Sequence, residues 1–158
     1  MELGIVWFDY VPVWKNNRSL SEEEQLSLKI KRLRPIDTLY EENEKDIFKW
    51  RDKELKRYIE NPEYTDQIKG MPLEVLKLIK RFSGHTKDFK NFLFDGDEKT
   101  DPIDVFLNIP NPTSDSQDNS LIMEIISVLS ETAHLTGEEL KNYVARPDGS
   151  NLETKEDA

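Results

Sequence analysis

The sequence predicts an α+β fold: an N-terminal β-hairpin or small antiparallel sheet packed against a mainly helical bundle of about four helices. Three observations predict it. The stretch Leu3–Trp14, LGIVWFDYVPVW, is β-branched and aromatic, as strands are. Leu26, Leu28 and Ile30 alternate with Ser27, Lys29 and Lys31, the two-residue period of a half-buried strand. From about Asp37 onward apolar residues recur at helical spacing, most densely in Asn119–Ala145, NSLIMEIISVLSETAHLTGEELKNYVA.

Along the chain, Pro12 cannot donate to a ladder, so the first strand ends there or lies at an edge. Lys15, Asn16 and Asn17 read as a turn. Trp7, Phe8, Tyr10 and Trp14 suit core and cross-strand pairing better than a recognition surface, although Trp7, Tyr10 and Trp14 remain the aromatic candidates for a partner-binding site. Gln25–Leu33 also fits a helix face through Leu26, Ile30 and Leu33, with Ser21 and Glu24 at capping-box spacing. The unbroken alternation argues for a strand paired with the first. Lys29, Lys31, Arg32 and Arg34 make a basic cluster, read as a solvated strand face rather than a phosphate site.

A charged amphipathic helix is expected from about Asp37 to Glu60 on the period of Ile47, Trp50, Leu55 and Tyr58, ended by Asn61–Pro62. Glu63–Gly70 reads as a polar connector. Pro72 opens a helix whose face is Leu73, Leu76, Ile79 and Phe82, closed at Ser83–Gly84. Thr86 is placed as the cap of a short helix carrying Phe89, Phe92 and Leu93. Asp95–Gly96 is a turn, Pro102–Phe106 a helical turn, and Asn108–Asn119 a loop by composition. In the last unit Ile122, Ile125, Ile126, Leu129 and Ala133 define one helix face, and Glu124 falls in its narrow polar stripe. Thr136 and Glu139 then form a capping box flanked by Leu135 and Leu140, opening a second helix that Pro147 stops near Ala145.

At 158 residues a single domain over 1–147 is expected, with 148–158 as a disordered acidic tail. Apolar residues are 36% and charged residues 34% of the chain, which implies a small core with solvated margins. No run approaches the ~20 apolar residues of a membrane span. With no secretory leader pattern and no cysteine, the expected location is the cytoplasm. Charge is uneven. Through Phe94 there are 18 Lys+Arg against 17 Asp+Glu; from Asp95 onward there are 4 against 15, a net of −11 within a total of −10. Such a surface repels nucleic acid and favours a basic partner.

No motif argues for catalysis. DGDEKTDPID carries Asp95, Asp97, Asp101 and Asp104, but its glycine is misplaced for an EF-hand, and a solvated turn is the simpler reading. His85 and His134 have no nucleophile or metal ligand at a known spacing, and no phosphate-cradling glycine loop is present. The expectation is a non-enzyme without cofactor or metal.

Three segments resemble small proteins of tailed-bacteriophage virion-assembly modules. The first is YVPVWKNNRSLSEEEQLSLKIKRL, with Pro12, Arg18, Leu20, Glu24 and Gln25. The second is DFKNFLFDGDE, with Asn91, Phe92, Asp95 and Gly96. The third is LIMEIISVLSETAHLTGEELKN, with Leu121, Glu124, Ile125, Leu135, Lys141 and Asn142. Tyr143 follows Lys-Asn where that pattern has a small polar residue, and the helix around Ile47–Ile59 lies outside it. The resemblance implies a non-enzymatic assembly protein of the tail-assembly-chaperone kind, which binds hydrophobic segments of tape-measure or tail-tube proteins. Trp7, Tyr10, Trp14, Glu138 and Glu139 are the expected partner-binding residues. The alternatives are an acidic inhibitor that mimics nucleic acid for a basic partner, and a metal-dependent enzyme using the Asp95–Asp104 loop.

Overall fold

The computed structural model describes residues 6–39, 42–109 and 120–134. Three strands form an antiparallel sheet in the order β1-β2-β3: β1 is Trp7–Tyr10, β2 is Ser27–Lys31 and β3 is Thr86–Lys90. Trp7 pairs with Lys31 and Tyr10 with Leu28, so β1 and β2 make the expected hairpin. Alternation then sends Phe8, Tyr10, Leu28 and Ile30 inward and Trp7, Asp9, Lys29 and Lys31 outward.

β3 replaces the short helix expected after Thr86. Its buried residues, Thr86 and Phe89, are three apart, a spacing that imitates a helix. Asp88 between them has φ 54°, and two residues of β3, Asp88 and Phe89, oppose the single Leu28 of β2 at that point. This extra bulge residue returns Phe89 to the inner face. Asp95–Gly96 is the two-residue turn of a second, small hairpin between β4, Leu93–Phe94, and β5, Asp97–Glu98. Both turn residues have positive φ, 52° and 86°, as a turn matched to strand twist requires.

Six α-helices are found among the described residues: α1, Pro35–Leu39; α2, Glu44–Arg57; α3, Pro62–Lys69; α4, Leu73–Gly84; α5, Pro102–Asn108; and α6, Leu121–Glu131. The single helix expected over Asp37–Glu60 is two. The side chain of Asn43 accepts from Asp46 N and starts α2 afresh. The polar connector expected at Glu63–Gly70 is α3. Asn61–Pro62 stops nothing: Asn61 accepts from Tyr64 N as N-cap and Pro62 occupies the first turn, where its missing N–H is no loss. In α6, capped by Ser120, the buried residues are Leu121, Ile125, Val128 and Leu129. Ile122 and Ile126 are half-buried, so the face is turned from the one the spacing picks out. The second helix expected over 136–145, the loop at 110–119 and the tail lie outside the described residues.

The apolar side chains form two cores. One joins the sheet's inner face to Phe82, Phe92, Val105 and the buried side of α6; the other gathers Ile47, Ile68, Leu76, Ile79 and Ile103 from α2 to α5. Helices α4 and α5 serve both, and Phe106 packs against each.

Candidate functional site

Sixteen residues, 11–26, connect β1 to β2. A hairpin usually needs two to five, and compact loops of this length are often functional. This one is braced by side chains from within and from two distant elements. Asn17, 3% exposed, spans its two ends. Its amide donates to Pro12 O at 2.8 Å and Leu26 O at 3.0 Å, and its oxygen accepts from Leu26 N at 2.8 Å. Arg18 Nε donates to Val11 O at 2.7 Å, and Gln25 Nε2 donates to the carbonyls of Arg18 and Leu20. A 3-10 turn over Trp14–Ser19 kinks at Lys15 and Asn16, both left-handed at φ 48° and 57°. The Lys15 ammonium lies 4.7 Å from the Trp14 ring centre.

From outside the loop, Asn91 Nδ2 donates to Glu23 O at 2.7 Å and Gln25 O at 2.8 Å. Glu124 of α6 accepts three hydrogen bonds, from Tyr10 Oη at 2.7 Å, Val13 N at 2.8 Å and Trp14 N at 3.0 Å. A carboxylate meeting two successive N–H groups and a hydroxyl is held by charge-assisted bonds, the stronger kind. Loop backbone that would otherwise wander is therefore fixed in one shape. On its outside, Val13 is 38% and Leu20 45% exposed, and Met123, beside Glu124, is 49% exposed. The result is a rigid loop with apolar tips.

The expected partner-binding residues divide. Trp14 is half-buried on this loop, and Tyr10 is buried as the hydroxyl tether to Glu124. Trp7 stands on the sheet's outer face at the opposite end of β1, with Lys87 Nζ 4.2 Å from its ring centre. Glu138 and Glu139 lie outside the described residues. The sequence names Asn17 in a turn and Leu20 and Glu124 within the resembling segments, but it assigns partner binding to none of Asn17, Glu124, Val13, Leu20 and Met123. A glutamate set among isoleucines was the available signal; the burial of Asn17 is visible only in the structure.

A second polar cluster lies where α2, α3 and α5 meet. Asp101 caps α5, accepting from Ile103 N at 2.9 Å, and also accepts from Arg57 and from the Tyr58 hydroxyl at 3.1 Å. Asp104 accepts from Tyr64 Oη, and Lys99 lies 3.5 Å away. The two tyrosine rings meet edge to face at 5.6 Å. Burial, then the negative charge of Asp101, pushes the Tyr58 hydroxyl well above its usual range. Tyr64 is raised likewise by burial and by its bond to Asp104. A cleft of about 310 Å³ opens beside them, lined by Glu54, Arg57, Ser83, Thr100 and Asp101 among others. The charged groups of the cluster bind one another, and Tyr58 and Tyr64 are held protonated, which is the chemistry of a brace between helices.

The chain has no match among protein-family models, curated proteins or solved structures. Among the described residues no group of three or more His, Asp or Glu is arranged to hold a metal ion, and Asp101 and Asp104 of the acidic loop are bonded to Arg57, Tyr58 and Tyr64. No helix among the described residues is long and apolar enough to cross a membrane.

Proposed function

We propose that this chain is a non-enzymatic protein that binds another protein through the loop at 11–26 during assembly of a tailed-phage particle. Its mode is that of a tail assembly chaperone, which holds hydrophobic segments of tape-measure or tail-tube subunits. One observation carries the reading. The three segments that resemble such proteins are remote in sequence, yet their polar residues meet at this loop: Arg18 and Gln25 within it, Asn91 from the second segment and Glu124 from the third. The shared pattern thus reads as the set of side chains that shape one surface. A pre-shaped loop loses little entropy on binding, and exposed Val13, Leu20 and Met123 suit an apolar partner segment.

The acidic-inhibitor reading has less behind it. Of the acidic residues described after Phe94, Asp101, Asp104 and Glu124 are turned to internal partners, which leaves Asp95, Asp97, Glu98 and Glu131 exposed. Co-expression with tailed-phage tail-tube and tape-measure proteins tests the proposal. One of them should co-purify with it. The double variant Val13→Asp with Leu20→Asp should lose that partner while keeping its melting temperature. Failure to capture any of them, or capture unaffected by the double variant, sinks the reading.

A further inference from the structure

The geometry points to a second docking surface, at the opposite end of the β1–β2 hairpin, that takes an acidic polypeptide segment carrying interspersed apolar residues. This surface is independent of the loop at 11–26. It is the corner where β2 runs into α1 and α4 turns into β3. Lys31 N donates to His85 O at 2.8 Å, which ties the end of β2 to the end of α4. Around that tie stand Lys31, Arg32, Arg34, Arg81, His85 and Lys87. Among the described residues, the carboxylate bonded into this group is Asp37. Arg34 grips it with Nε at 3.2 Å and Nη2 at 3.1 Å, His85 Nε2 lies 3.9 Å from it, and Arg81 Nη2 donates to its backbone carbonyl. Five Lys and Arg side chains stand against this one bonded carboxylate, with the His85 ring among them, which leaves the corner positive on a protein whose net charge is −10.

The sheet extends the same field. Lys29 and Lys87 are directly opposite on neighbouring strands. Like charges so placed destabilise a sheet. Asp9 answers only the Lys29 side, at 3.7 Å. A face that keeps such a pair beside Lys31 is arranged to receive negative charge from outside.

The corner also shows apolar surface. Val6 is 57% and Ile36 55% exposed, and both belong to it: Arg32 N donates to Val6 O, and Ile36 lies between Pro35 and Asp37 of α1. This mixture separates a polypeptide from a nucleic acid. Single strands bind on aromatic platforms that stack bases. Here the aromatic residue of the outer sheet face, Trp7, already has Lys87 against its ring, and Val6 and Ile36 offer nothing to a base. Aliphatic side chains among cations fit a segment in which Asp or Glu alternates with Leu or Ile.

A direct test uses the full chain and a fluorescein-labelled twelve-residue peptide of alternating Glu and Leu, followed by anisotropy, with a poly-Glu peptide and an oligo-dT strand as comparators. The Glu-Leu peptide should bind more tightly than either comparator, and its affinity should fall with added salt. The variant Lys31→Glu with Lys87→Glu, which changes two solvent-facing side chains, should weaken binding by about tenfold or more. Ile36→Ser should weaken it without altering the salt dependence. Absence of binding, equal or better binding of oligo-dT, or a charge-reversed variant that folds and binds as before, each overturns the inference.

Discussion

The Tyr10 hydroxyl donates to Glu124 Oε2 at 2.7 Å across 114 positions of sequence, and the same carboxylate accepts from Val13 N and Trp14 N. Strand β1, the start of the long loop and helix α6 are thus joined at one side chain. Replacing Glu124 by Gln keeps the size but puts an amide NH₂ where an acceptor is required. At least one of the three donors then loses its partner, at a cost of about 1–3 kcal/mol. Urea denaturation should show a midpoint lowered accordingly, and Trp14 fluorescence should report a looser loop in the folded variant. A midpoint equal to that of the parent would mean the tether carries no weight.

Ile125 is fully buried between the sheet and the other apolar residues of α6. Ile125→Ala should destabilise by about 2–5 kcal/mol, through lost transfer energy and the cavity left behind. Ile125→Asp adds an unpaired buried charge and should unfold the protein, visible as loss of helical circular dichroism. A folded Asp variant that lost only partner binding would instead mark this face as a docking groove.

The tyrosines of the α2–α3–α5 junction give a pH signature. Burial first, then Asp101, raises the folded-state pKa of Tyr58 above its unfolded value; Tyr64 is raised in the same direction by burial and Asp104. The stability linked to them is therefore fully present below the unfolded tyrosine value, about 10, and is lost as pH rises through the higher folded values. Absorbance at the tyrosinate band should show a late-ionising fraction that includes Tyr58 and Tyr64, close to alkaline unfolding. Asp101→Asn retains an oxygen to cap α5 and removes the charge, so Tyr58 should titrate earlier, though still late because burial remains. Uniform titration of all five tyrosines at the ordinary value would refute the assigned environment.

Much of the fold was legible where local chemistry suffices. The alternation in Leu28–Ile30, the Asp95–Gly96 turn and the face of α4 all depend on neighbours in sequence, and the structure has each. Legibility failed where a local signal has two meanings. Asn-Pro both ends and begins helices, and at Asn61–Pro62 it begins one. A three-residue spacing of buried side chains reads as a helix until a bulge such as that at Asp88 accounts for it.

The sequence by itself determined the α+β class, the hairpin at the N-terminus, the apolar weight of α6 and the concentration of negative charge after Phe94. Each follows from periodicity or composition, which short-range sterics and burial translate directly into structure. Tertiary structure alone decided that Asn17, Asn91 and Glu124 converge on one loop, and that Lys31, Arg34, Arg81 and Lys87 share one corner. Those groupings arise from how the sheet and helices close over a common core. Hydrogen bonds between residues 66 to 114 positions apart depend on that closure, and local sequence pattern does not encode it.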